Sequence, residues 1–64
     1  MIRVNGADNE LATCSVAQLL VALAIDQRGI AVAVDGEIIR RSAWEVTTVD
    51  DGSSVEIVTA VAGG

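Results

Sequence analysis

Histidine, lysine, proline, phenylalanine and tyrosine are all missing from this 64-residue chain, which holds a single cysteine and a single tryptophan. Each gap removes a class of chemistry. Without His or Lys the side chains that most often relay protons or form Schiff bases are gone, so a conventional active site is not expected. One Cys and no His leave no thiol–imidazole pair and no zinc ligand set, and Cys14 alone closes no intrachain disulfide. The longest unbroken apolar run, Leu19 to Ile25, has seven residues, whereas a membrane span needs about 18 or more. Basic charge is scarce too. Four Arg stand against nine Asp and Glu, a net charge of −5, and such a surface repels the phosphate backbones that nucleic-acid binders hold. Neither nucleic acid nor membrane is an expected partner. The opening Met1-Ile2-Arg3-Val4 reads as structure and not as a secretory leader, which makes the cytoplasm the expected compartment.

What remains is small and β-prone. Apolar residues make up 52% of the chain, and Val and Ile dominate them, which favours strands over helix and argues against disorder. A chain of this length buries only roughly 60% of its unfolded surface, enough for one domain and too little for a private substrate cavity.

Met1 to Asn5 alternates as a strand, with Ile2 and Val4 on one face and Arg3 on the other; Gly6-Ala7-Asp8-Asn9 supplies turn chemistry, and Glu10 to Thr13 is the expected antiparallel return. Ser15-Val16-Ala17-Gln18 matches a helix capping box. Val16, Leu19, Leu20 and Leu23 then fall on one stripe at helical period, and the helix is expected to end near Asp26, before Gly29. Ile30 to Val34 alternates, placing Ile30, Val32 and Val34 towards the helix and Ala31 and Ala33 away from it. Asp35-Gly36 is a type I′ hairpin signal, with Glu37 to Arg41 as the returning strand. Ser42-Ala43-Trp44 reads as a corner with Trp44 a half-buried anchor, Val46 to Val49 as an extended piece, and Asp50 to Ser54 as a polar turn. Val55 to Val61 is the last strand, with Val55, Ile57, Thr59 and Val61 on one face and Glu56, Val58 and Ala60 on the other. A hairpin, a crossing helix and a returning set of strands is the order of an α+β fold of the β-grasp (ubiquitin-like) type: a mixed sheet of four to five short strands on one main helix, over residues 1–61.

Few residues carry chemistry. Cys14 reads as an inert structural thiol, Asp50 and Asp51 as turn formers, and Arg40-Arg41 as strand-end cations that pair with nearby carboxylates or contact a partner. Val58, pointing outward with Ala60, Ala31 and Ala33, can build a shallow apolar patch of the kind that marks binding surfaces. The strongest signal is the end of the chain. Ala62-Gly63-Gly64 follows the last strand directly, and two residues without Cβ can pass through a channel too narrow for side chains. The reactive group is then the Gly64 α-carboxylate, on a tail of residues 62–64, with Val61, Ala62, Gly63 and Gly64 as the segment that enters partner active sites.

The order of these segments resembles the ThiS-type sulfur carrier family, ubiquitin-like domains that serve assembly of the thiamine thiazole ring. The resemblance covers the whole chain. It rests on Val4-Asn5-Gly6, on Ser15-Val16-Ala17-Gln18-Leu19-Leu20, on Ile30 to Ile39, on Arg41-Ser42-Ala43-Trp44, and on Val55-Glu56-Ile57-Val58 leading to Ala60-Val61-Ala62-Gly63-Gly64. Arg40 stands where the family often has proline, and Gly52-Ser53 where it often has Gly-Asp. The resemblance implies a carrier and not an enzyme, with no cofactor of its own. It implies a ThiF- or MoeB-type E1-like adenylating enzyme that uses ATP and Mg²⁺ to activate Gly64, a sulfur donor such as a cysteine desulfurase, and a ThiG-type thiazole synthase that takes the sulfur. A MoaD-type small subunit of molybdopterin synthase shares fold and tail chemistry and is the alternative. From another class, the alternative is a non-covalent ubiquitin-like interaction module that uses the Val58 patch or the acidic face, with the Gly-Gly end a coincidence.

Overall fold

The computed structural model describes residues 1–59. Seven short strands and one helix follow in the order β1 (Ile2–Val4), β2 (Ala7–Asn9), β3 (Cys14–Ser15), α1 (Val16–Ala22), β4 (Ile30–Val34), β5 (Glu37–Ile39), β6 (Thr48–Val49) and β7 (Ser54–Thr59), with a 3₁₀ turn at Arg41–Ala43. Five strands form one mixed sheet in the order β2-β1-β7-β4-β5, and β3 pairs with β6 in a separate two-stranded ribbon. β1 and β7 run parallel, while the other neighbours are antiparallel. The architecture is that of the β-grasp fold.

The first hairpin is tighter than the sequence reading placed it. Its turn is Asn5-Gly6 alone, with φ of +50° and +83°, the positive pair that a two-residue type I′ turn demands. β2 therefore begins at Ala7 and pairs Val4 with Ala7 and Ile2 with Asn9, so residues 7–9 are strand and residues 10–13 are not. Arg3 Nε donates to Asp8 Oδ1 across the pair at 3.3 Å.

Ser15 caps α1 as expected. Gln18 N–H donates to Ser15 Oγ at 3.1 Å, and Ser15 N–H donates to Gln18 Oε1 at 2.9 Å. The helix stops about a turn before Asp26. Ala24 N–H donates to the Val21 carbonyl at 3.0 Å and Ile25 N–H to the Leu20 carbonyl at 2.9 Å, with Ala24 left-handed at φ +55°. Those are the two bonds of a Schellman cap. The cap turns Ile25 back onto the core, and that burial is what ends the helix early.

Val16, Leu19 and Leu20 are buried against Ile2, Val4, Val32, Val49, Val55 and Trp44. Removing a Leu side chain from water stabilises by about 1.5–3 kcal/mol, so this one apolar stripe supplies much of the drive that holds α1 on the sheet. Trp44 is more deeply seated than expected, at 4% exposure, and its Nε1 donates to the Ile39 carbonyl at 2.9 Å. Val46 is 81% exposed and lies outside β6. The backbone from the 3₁₀ turn keeps winding, with Val46 N–H and Thr47 N–H both donating to the Ala43 carbonyl at 3.2 and 2.9 Å, so extension begins only at Thr48. Among the described residues no helix is long and apolar enough to cross a membrane.

Candidate functional site

Ala60, Val61, Ala62, Gly63 and Gly64 lie outside the described residues, as does the proposed boundary between domain and tail. The strand that leads to them is β7, in the centre of the sheet. One face of it is apolar and turned to the core, with Val55 fully buried and Ile57 packed on the core, while Glu56 and Val58 point outward and are exposed. β4 flanks β7 along its described length, pairing Val34 with Val55 and Ile30 with Thr59. On the other flank β1 pairs only Arg3 with Ser54 and Val4 with Val55. Beyond Val55 that flank is met by Asn5. Asn5 N–H donates to the Val55 carbonyl at 2.9 Å, Ile57 N–H donates to Asn5 Oδ1 at 2.8 Å, and Asn5 Nδ2 donates to the Ile57 carbonyl at 3.1 Å.

The outward face carries the apolar patch read from strand parity. Ala31 is opposite Val58, and Ala33 is opposite Glu56 on one side and Ile38 on the other. Val58 is 57% exposed and Ile38 79%, and with Ala31, Ala33 and Glu56 they line a shallow depression. Ile38 is the residue that the sequence reading passed over. The register of the Asp35-Gly36 hairpin, whose central residues have φ of +50° and +85°, places it beside Ala33, and that register was the available signal. Ile38 also lines a second depression together with Arg40, so it links Val58 to Arg40 across the edge of β5.

Arg41 is separated from that patch by its contacts. Its guanidinium lies 4.8 Å from the Trp44 ring centroid and donates to the Gln27 carbonyl, closing the lid over the buried indole. The ion pairs among the described residues join Asp51 to the Met1 amino group, Arg3 to Asp8 and Arg28 to Asp26; the expected pairing of Arg40-Arg41 with carboxylates is not among them. Arg28 donates to Asp26 from both its side chain and its backbone N–H, and these bonds hold the Asp26 carboxyl below the usual carboxylate range.

Cys14 is partly buried in β3, opposite Val49, and packs on the core. Asp50 accepts from Ser53 N–H through its carbonyl at 3.0 Å, and Asp51 accepts from the amino terminus, so both belong to the turn before β7. No group of three His, Cys, Asp or Glu residues among the described residues is placed to hold a metal ion. These elements frame a central strand bonded on both flanks, with an exposed outer face that carries Val58 and Ile38 beside it.

Comparison with known proteins matches this arrangement. The profile of the ThiS family matches residues 2–64. The crystal structure of the thiamine biosynthesis protein ThiS from Geobacter metallireducens is 34% identical and superposes with a TM-score of 0.83 over 98% of this chain and 97% of that one. The solution structure of a thiamine biosynthesis protein from the same organism, also 34% identical, gives 0.74 over 98% of this chain and 86% of that one. A thiazole synthase of Paramagnetospirillum magneticum is 37% identical over 62 residues, which are 95% of this chain and 19% of that protein. The chain thus spans about a fifth of the length of this curated relative. With a family profile running from Ile2 to Gly64 and a shared β-grasp fold along nearly the whole chain, the protein belongs to the ThiS family.

Proposed function

We propose that this chain carries sulfur for thiamine biosynthesis on the α-carboxyl group of Gly64. The observation that carries the reading is the match to the ThiS family through the Gly63-Gly64 end. An ordinary α-carboxyl group, with a pKa of about 3.3–3.7, is a stabilised anion at neutral pH and resists nucleophiles until it is activated. An E1-like enzyme of ThiF or MoeB type supplies that activation. A Gly64 carboxylate oxygen attacks the α-phosphorus of ATP, pyrophosphate leaves, and an acyl-adenylate forms. ATP and Mg²⁺ belong to that enzyme, and the carrier itself binds no cofactor.

The terminal sulfur of a donor persulfide, such as one formed by a cysteine desulfurase, then attacks the acyl carbon and AMP leaves. A thiol, by two-electron reduction, cleaves the resulting acyl disulfide to the thiocarboxylate and a donor–thiol disulfide. A ThiG-type thiazole synthase takes the sulfur from the carrier; the thiazole synthase relative of Paramagnetospirillum magneticum, in which a stretch similar to this chain is one part of a longer protein, supports that pairing. On this reading the chain is a co-substrate and not an enzyme, and the outer face with Val58, Ile38 and Arg40 is what the partners grip.

Intact-mass measurement after incubation with the adenylating enzyme, ATP, Mg²⁺ and a sulfur source tests the proposal. The expected product is heavier by the exchange of one oxygen for sulfur. Gly63→Val, or one extra residue after Gly64, is expected to give no product while its circular dichroism matches the parent. Normal loading of either variant refutes the tail chemistry.

A further inference from the structure

We infer that Asn5 is a positioning residue for the carrier strand: its carboxamide stands in for the peptide group that β1 ceases to supply when the chain turns, and so pins β7 at Ile57. The inference rests on the sulfur-carrier reading above. In a parallel ladder every second residue of one strand bonds to two residues of its neighbour, its N–H to one and its carbonyl to the next but one. Arg3 N–H donates to the Ser53 carbonyl and Asn5 N–H to the Val55 carbonyl, both at 2.9 Å. The next rung would use Ile57, but Asn5 adopts φ +50° and β1 folds away into the hairpin. The Asn5 side chain completes that rung with one acceptor and one donor, at 2.8 and 3.1 Å.

Without that rung, Glu56 to Thr59 is held by β4 alone among the described residues. Ile57 lies only seven positions before Gly64, so a shift or tilt of β7 here moves Thr59, the described end of the strand that leads to it. The adenylation step needs one carboxylate oxygen in line with a phosphorus, and a displacement of about 1 Å can cost on the order of a hundredfold in rate. On the proposed reading the body docks through the outer face with Val58, Ile38 and Arg40, not through Asn5. The role of Asn5 therefore falls on turnover and not on affinity.

Asn5 also makes the hairpin turn, and two substitutions separate the roles. Asn5→Gly keeps the positive φ and deletes both side-chain bonds. Asn5→Asp keeps a turn former and the acceptor for Ile57 N–H, but sets an oxygen against the Ile57 carbonyl. With the full chain well below its melting temperature, N5G is expected to exchange its Ile57 amide hydrogen at least roughly tenfold faster. Pyrophosphate release in the presence of a ThiF- or MoeB-type enzyme is expected to fall roughly tenfold in kcat, with KM for the carrier unchanged. N5D is expected to retain Ile57 protection and to lie between N5G and the parent in kcat. An unchanged Ile57 exchange rate in N5G overturns the clamp. A raised KM at constant kcat, or no kinetic change in a parent that loads normally, overturns the positioning role alone. A parent chain that takes no adenylate overturns the sulfur-carrier reading and the positioning role with it.

Discussion

Ala24 holds the left-handed position of the Schellman cap at φ +55°, where glycine is the usual occupant. An L-residue with a Cβ costs about 1–2 kcal/mol there, and glycine gives back about 0.4–1 kcal/mol through its freer unfolded chain. Ala24→Gly is therefore expected to stabilise the protein by about 0.5–1 kcal/mol, read as a rise of a few degrees in Tm. The Asp26–Arg28 pair is a second single-residue test, with its sign set by linkage. A carboxyl whose folded pKa is depressed adds stability that is full above its unfolded pKa and is lost as pH falls through the folded one. Because Asp26 is lowered by Arg28, the Tm difference between the parent and Asp26→Asn is expected to be small, constant from about pH 5 to 8, and gone below the folded pKa. A difference that grows on acidification contradicts this. Residue chemistry was legible where it is local: the Ser15–Gln18 box and the Asp35-Gly36 turn stand as written in the chain.

The elements show where local reading stops. Both hairpins of the sheet use a positive-φ pair, Asn5-Gly6 and Asp35-Gly36. The second follows the alternating large and small apolar run of Ile30 to Val34 and precedes the β-prone pair Ile38-Ile39, which announce a strand on either side. The first is followed by Ala7-Asp8-Asn9, an edge strand with almost no apolar signal, so its turn chemistry reads as extending to Asn9. Edge strands need no apolar face, since polar residues there also discourage pairing with another chain. The segment from Arg41 to Thr47 was harder still, because Trp44 organises it through its burial, its Nε1 bond to Ile39 and the Arg41 guanidinium over its ring. Trp44→Phe keeps most of the apolar surface but leaves the Ile39 carbonyl without its donor. It is expected to cost about 1–3 kcal/mol, measured by urea denaturation, with an unchanged m-value showing that the fold itself persists. A loss near zero would mean that the indole N–H contributes nothing beyond packing.

For the whole molecule, the outer sheet face and the end of the chain form one working unit on the proposed reading. Ile38 is 79% exposed and touches the depressions of both Val58 and Arg40, so an acidic residue there disturbs contact with an apolar partner surface without opening the core. Ile38→Asp is expected to leave Tm within about 2 °C of the parent, as surface changes do, and to raise KM in the loading assay roughly tenfold, as losing a buried interface anchor does. Equal KM values in parent and variant would place the partner elsewhere. By itself the amino-acid sequence determined the charge, the missing catalytic side chains and the Gly-Gly end, which follow from composition and order alone, and the capped start of the helix and the apolar face of each long strand, which depend on neighbours a few positions apart. Only the tertiary structure decided that β1 lies parallel to β7, that Ile38 joins the Val58 face, and that Asn5 reaches Ile57 across 52 positions. Those contacts arise when one sheet closes around one helix, and strand register across such distances is set by the burial of shared faces and not by any local pattern.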